Sequence, residues 1–263
     1  MKPDRVYRPI AGNLARVDRL VAELTGSRYA PLTGGKRLRP ALLLFAAGAW
    51  DGRAADGVIE LAAAVELVHA ASLVHDDVID NTVRRRSGPA LHRLIGVKPA
   101  VIFADLLFVQ GLALLDAVRP GRLVIDFIHS VRTMCEGQWL EVEGGRNLTE
   151  DRYTEIIDKK TAAIFAFAGR AGALLGRTGQ ARRLEEFGRE FGFVYQLLDD
   201  ARDLGHRQLT PLERGLRRIG GAGWCRERAT EHADRARAVC LRLDDRVRRR
   251  GLELLLESVF ALD

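Results

Sequence analysis

Apolar residues recur at three- and four-residue intervals along almost the whole chain, while strict alternation is rare. That spacing restricts the fold to packed helices. Ala, Leu, Glu and Arg, all good helix formers, dominate, and aromatic residues make up only 6% of 263 positions. The periodicity predicts helices over roughly 10–24, 38–50, 56–80, 98–117, 120–143, 150–176, 180–204, 210–218, 224–249 and 251–261. Breakers separate them at Pro31 to Gly35, Ser87 to Pro89, Gly144-Gly145, Gly176 to Gly179 and Gly220 to Gly223. Thr149, followed by Glu150 and Asp151, is a helix start, with a capping hydroxyl and negative charge in the first turn. The whole chain, 1–263, reads as one all-α domain of about ten helices.

Two aspartate clusters end apolar helical stretches: Asp76-Asp77-Val78-Ile79-Asp80 and Asp199-Asp200-Ala201-Arg202-Asp203. Residues four apart share a helix face, so Asp76 points with Asp80 and Asp199 with Asp203. Clustered carboxylates repel unless a cation neutralises them. Two such clusters on facing helices would make a magnesium cage for an anion such as a diphosphate. His69 lies two turns before Asp76 on the same face, and Arg84, Arg85 and Arg86 follow Asp80 closely. Upstream, Gly34-Gly35-Lys36-Arg37-Leu38-Arg39-Pro40 feeds a glycine turn into a basic helix start, a combination suited to phosphate. Lys160-Thr161 and Tyr195-Gln196 add donors ahead of the second cluster.

The net charge of +6 comes almost wholly from arginine, and no nucleic-acid-binding signature accompanies it. The basic run Arg246 to Arg250 reads as a solvated helix face. Cys135, Cys225 and Cys240 are odd in number and widely spaced, which predicts reduced thiols and a cytoplasmic setting. Met1 to Arg5 carries no apolar leader. The apolar stretch from Ile59 to Val74 is broken by Glu60, Glu66 and His69, which argues against stable membrane insertion.

GGKRLRP, HDDVID followed by RRR, a KT pair and YQLLDDARD occur in the order and approximate spacing of trans-isoprenyl diphosphate synthases, the polyprenyl synthetases. The chain resembles that family from about residue 10 to 204. The resemblance implies an all-α homodimer whose two aspartate motifs face each other across a central cavity. It implies Mg²⁺ bridging Asp76, Asp80 and Asp199 to an allylic diphosphate, with Asp203 in the same metal set. Asp77 and Asp200 would be water-mediated metal partners or would orient their neighbours by hydrogen bonds. Arg85, Lys160, Thr161 and Gln196 would bind the allylic diphosphate; Lys36, Arg39, His69 and Arg86 would bind isopentenyl diphosphate. Asp76, Asp80, Asp199 and Lys160 would carry catalysis, which is ionisation followed by coupling and needs no side-chain nucleophile.

In this family, residues about one turn before the first motif line the tunnel for the growing chain. Ala71 and Ser72 stand there, both small, so the resemblance implies a product longer than farnesyl diphosphate: geranylgeranyl or beyond. Phe103 and Phe108 are either a deeper floor or plain core. The chain departs from the family after Asp203, where a glycine- and lysine-rich loop is replaced by Leu204-Gly205-His206-Arg207-Gln208-Leu209-Thr210-Pro211. Arg202, Arg207 and Arg214 are candidates to replace the missing lysines. That shortening motivates an alternative: a non-catalytic or regulatory subunit of a heteromeric synthase. A terpene cyclase on the same scaffold is disfavoured by GGKRLRP, and a scaffold protein would leave both aspartate clusters as surface decoration.

Overall fold

The most apolar predicted stretches become the most buried helices. In the computed structural model, which describes residues 6–26, 35–85, 88–119, 121–144, 148–205 and 210–261, every residue of α2 (Leu38–Ala47) is buried. Around it stand α1 (Ala11–Thr25), α3 (Val58–Ile79), α4 (Leu91–Ile95) and α5 (Val97–Ala113). The next group is α6 (Arg122–Gly144), α7 (Glu150–Ile157), a π-helical turn at Asp158–Ala162, α8 (Ala163–Leu175) and α9 (Ala181–Asp203). Three helices close the chain: α10 (Pro211–Ile219), α11 (Gly221–Leu241) and α12 (Arg246–Phe260). Helix α9 packs between α8 and α11, α2 lies on α8, and α3 lies on α5. One continuous apolar core runs through all of them.

Thr149 caps α7 as expected, its hydroxyl accepting from the Arg152 N–H. Two features depart from the expected pattern. A short antiparallel ribbon pairs Arg84–Arg85 with Gly88–Pro89, and α4 follows it. The last helical break falls at residues 242–245 and not at residue 250. Asp245 caps α12 by accepting from the Val247 and Arg248 N–H groups. Gly251 sits inside that helix because its missing side chain admits the Phe45 ring; a Cβ there would lie 2.5 Å from Phe45 Cδ1.

By length and composition alone, α3 is apolar enough to cross a membrane, as is the span Val97–Ala117. The interrupting charges of α3 do not remove that property; its burial accounts for it, since 72% of its most apolar window is packed inside the protein. The second span is only 33% buried and exposes Ile102, Leu106 and Val109, which form one stripe at i, i+4, i+7. All three cysteines are free, Cys225 and Cys240 in the core and Cys135 exposed.

Candidate active site

Helices α3 and α9 end against the same cavity, of about 640 Å³. Asp76 and Asp80 reach it from α3, and Asp199, Asp200 and Asp203 reach it from α9. The two clusters predicted from sequence are therefore brought to one wall-lined space. Arg39, His69, Arg85, Lys160, Thr161 and Gln196 line it as well. Leu73, Phe108, Met134 and Trp139 give its apolar portion, and Ser72 lines it too.

The π turn carries Lys160 and Thr161 inward. Wide turns of this kind insert an extra residue into a helix and re-aim the side chains around it. Two glycines make room. A Cβ on Gly137 of α6 would lie 2.2 Å from Lys160 N, and one on Gly192 of α9 would lie 2.6 Å from Ala162 Cα. The Lys160 ammonium then meets Glu141 at 2.5 Å and Asp76 at 3.7 Å. Burial pushes its pKa down, but Glu141 and Asp76 outweigh burial and hold it raised. Thr161 donates to Gln196 Oε1 at 2.8 Å, and Gln196 Nε2 donates to Asp200 Oδ1 at 2.9 Å.

The carboxylates bear the cost of crowding. Burial raises the pKa of Asp76, with Glu141 and Asp77 adding to the shift and Lys160 opposing it. Asp80 is pushed up to about 6 by burial and by Glu141. Asp200 is pushed up to about 7, chiefly by burial, against hydrogen bonds from Tyr153 and Gln196. Asp76 and Asp80 thus sit in a field that a divalent cation would relieve. Among the described residues, no three His, Cys, Asp or Glu side chains converge on one point. The donor set, made of carboxylates, fits a hard divalent cation.

Asp77 and Ala71 stand apart from the lining. Asp77 is buried beside Arg85, whose Nε reaches it at 2.7 Å, so this aspartate orients an arginine. Ala71 is fully buried in the core, and of the pair Ala71–Ser72 only Ser72 reaches the cavity wall. Phe108 reaches it too, stacked on His75 with ring centroids 5.8 Å apart, whereas Phe103 is core. Lys36 lies over the Tyr195 ring at 5.6 Å. Arg39 is buried with its guanidinium 4.5 Å from the Phe165 centroid and 5.9 Å from that of Tyr195, and its Nε has no hydrogen-bond partner.

Arg86, His206 and Arg207 lie outside the described residues. Arg202 is engaged by Asp199 at 2.7 Å. At the start of α10, Thr210 and Glu213 form a capping box, and Thr210, Leu212 and Glu213 border the cavity. Glu141 was not anticipated. Its signal was present, because Met134, Gln138, Glu141 and Val142 share one face of α6, but nothing in that spacing says which face meets Lys160.

Two aspartate clusters, a row of cationic and amide donors and an apolar portion thus share one cavity of an all-α fold. The chain belongs to the polyprenyl synthetase family: a family model of that description matches residues 24–210. A geranylgeranyl diphosphate synthase of Methanosarcina mazei is 40% identical over 187 residues, covering 68% of this chain and 57% of that protein. A short chain isoprenyl diphosphate synthase of Methanothermobacter thermautotrophicus is 36% identical, covering 69% of this chain and 58% of that one. The sequence match thus spans under two thirds of these curated relatives. The fold match is fuller. A decaprenyl diphosphate synthase from Rhodobacter capsulatus superposes with a TM-score of 0.87 at 27% identity, over 99% of both chains. A polyprenyl synthase from Caulobacter crescentus CB15, complexed with calcium and isoprenyl diphosphate, gives 0.85 at 27% identity, over 98% of this chain and 97% of that one.

Proposed function

We propose that this protein condenses isopentenyl diphosphate with an allylic diphosphate, giving a longer all-trans prenyl diphosphate of geranylgeranyl length or beyond. One observation carries the reading: both aspartate clusters and the Lys160–Thr161–Gln196 row border a single cavity that also has an apolar portion at Leu73, Phe108, Met134 and Trp139. The relatives named as geranylgeranyl, geranylfarnesyl and octaprenyl diphosphate synthases support it.

Asp76 and Asp80 on one side, and Asp199 and Asp203 on the other, would hold the Mg²⁺. The calcium in the Caulobacter crescentus enzyme supports a divalent cation. Bound there, the cation supplies Lewis-acid stabilisation of charge on the leaving diphosphate. Arg85, Lys160 and Gln196 bind the allylic diphosphate, and Thr161 fixes the Gln196 amide. Lys36, Arg39, His69 and Arg86 receive isopentenyl diphosphate. When the allylic C–O bond breaks, its electrons leave with the diphosphate and the cationic side chains stabilise that charge. The isopentenyl double bond then attacks the allylic carbocation, a carbon–carbon bond forms, and a proton passes to the released pyrophosphate. Apolar walls around Leu73, Phe108 and Met134 keep water from the cation.

The exposed stripe of Ile102, Leu106 and Val109 on α5, with Ile125 and Ile128 exposed on α6, supports a homodimer. Contiguous apolar surface of this kind is covered in working assemblies, and a second copy of the same face is the simplest cover. Three unpaired thiols support a reducing, cytoplasmic setting.

The deciding experiment incubates the protein with Mg²⁺, labelled isopentenyl diphosphate and dimethylallyl, geranyl or farnesyl diphosphate in turn, and sizes the dephosphorylated products. A ladder abolished by Asp76→Ala is expected. No product with any starter overturns the reading and turns attention to a partner chain.

A further inference from the structure

Tyr153 is buried in α7 and does not border the cavity; it faces a separate hollow of about 270 Å³ against Trp224 and Arg228 of α11. Its ring leans on Trp224, with centroids 5.8 Å apart. Its hydroxyl donates to Asp200 Oδ2 across 47 positions of sequence. The other oxygen of Asp200 accepts from Gln196 Nε2 at 2.9 Å, and Gln196 Oε1 accepts from Thr161 at 2.8 Å.

Donor bookkeeping then fixes each group. Tyr153 O–H and Gln196 Nε2 both donate to Asp200, so the Gln196 edge facing Asp200 is its NH₂ and the edge facing Thr161 is its carbonyl. The Thr161 hydroxyl proton is spent on that carbonyl. One Gln196 N–H remains for the cavity. The chain Tyr153–Asp200–Gln196–Thr161 ties α7, α9 and the π turn together, and Tyr153, with Cys225 beside it, anchors it from outside the cavity lining. Removing an anchor from a buried network frees every group downstream of it.

We propose that Tyr153 is a positioning residue for substrate: by holding Asp200, it aims the free N–H of Gln196 at the allylic diphosphate. The role deepens the prenyltransferase reading and rests on it. Tyr153→Phe removes the hydroxyl and keeps the ring against Trp224. Steady-state kinetics of this variant should show the KM for the allylic diphosphate raised about tenfold, the scale of one hydrogen bond to a charged group. The KM for isopentenyl diphosphate and the half-saturating Mg²⁺ concentration should stay within about twofold. In a Gln196→Ala background, adding Tyr153→Phe should raise the allylic KM no further.

Equal changes in both KM values, or additivity with Gln196→Ala, overturn the proposal and leave Tyr153 as packing. If Tyr153→Phe does not fold, Asp200→Asn is measured in its place. An allylic KM raised at unchanged Mg²⁺ half-saturation supports the positioning role; a raised Mg²⁺ requirement assigns Asp200 to the metal and overturns it. Turnover by the unaltered chain decides the underlying reading separately. Without turnover, thermal stabilisation by magnesium pyrophosphate replaces kinetics, expected in the unaltered chain and weakened in Tyr153→Phe; equal stabilisation overturns the proposal.

Discussion

Glu141 holds the Lys160 ammonium at 2.5 Å, closer than Asp76 does at 3.7 Å, so the cation sits between a carboxylate of the first motif and one outside both motifs. Glu141 also helps raise the pKa of Asp76 and of Asp80. Its carboxylate therefore acts on both sides of the cavity: it aims the lysine and crowds the aspartates.

Glu141→Gln keeps the shape and removes the charge. Loss of a charge-assisted hydrogen bond costs about 1.5–3 kcal/mol. The KM for the allylic diphosphate should rise roughly tenfold, because Lys160 is no longer aimed. Initial rates across a range of allylic diphosphate concentrations check it; an unchanged KM would show that Asp76 alone positions the lysine.

Arg39 is a buried cation with an unpartnered Nε, a configuration that costs the fold stability and is kept for another reason. Burial lowers its pKa, with Tyr195 and Glu66 opposing the shift. Arg39→Met should leave the urea midpoint unchanged or higher, while the KM for isopentenyl diphosphate rises by at least about thirtyfold. Parallel losses in stability and affinity would assign Arg39 to packing.

Ser72 and Ala71 should separate cleanly. Ser72 borders the cavity, so Ser72→Phe should fold normally and shorten the product by one or more isoprene units, read by sizing the dephosphorylated alcohols. Ala71 is fully buried, so Ala71→Phe should lower stability by at least about 1–3 kcal/mol through overpacking. Unchanged product length in Ser72→Phe removes Ser72 from the tunnel wall.

Gly137 allows α6 to touch the π turn. In Gly137→Ala the new methyl would lie 2.2 Å from Lys160 N, and backbone cannot yield as a flexible side chain can. A loss of about 1–3 kcal/mol is expected, with kcat falling further than stability because Lys160 is displaced. Chemical denaturation and turnover on the same preparation check both.

The apolar stripe on α5 predicts a dimer. Light scattering should give about twice the 29.1 kDa chain mass, and Ile102→Glu combined with Val109→Glu should reduce it to one chain. A monomeric unaltered protein would leave that stripe needing another partner.

Helical class, the ends of most helices, the paired aspartate faces and the KT pair were all legible in one dimension, because helical periodicity and i,i+4 geometry are local rules. The position of the final break was not. Periodicity puts it at residue 250, yet the Phe45 ring fills the space above Gly251 within the last helix, and Asp245 supplies the cap four residues after α11 ends. Nor was the division of labour inside each motif. Asp76 and Asp77 are adjacent and chemically identical, but one borders the cavity and the other pairs with Arg85, since neighbours on a helix point about 100° apart. Glu141, Tyr153 and Trp224 acquire their contacts only when α6 and α7 pack on the π turn and α11 packs on α9. Their partners lie far away in sequence, and no spacing rule reaches that distance. Residue order along each helix sets which side chains its faces carry; packing sets which of those faces meet, because contact between distant helices depends on the shape of the whole core.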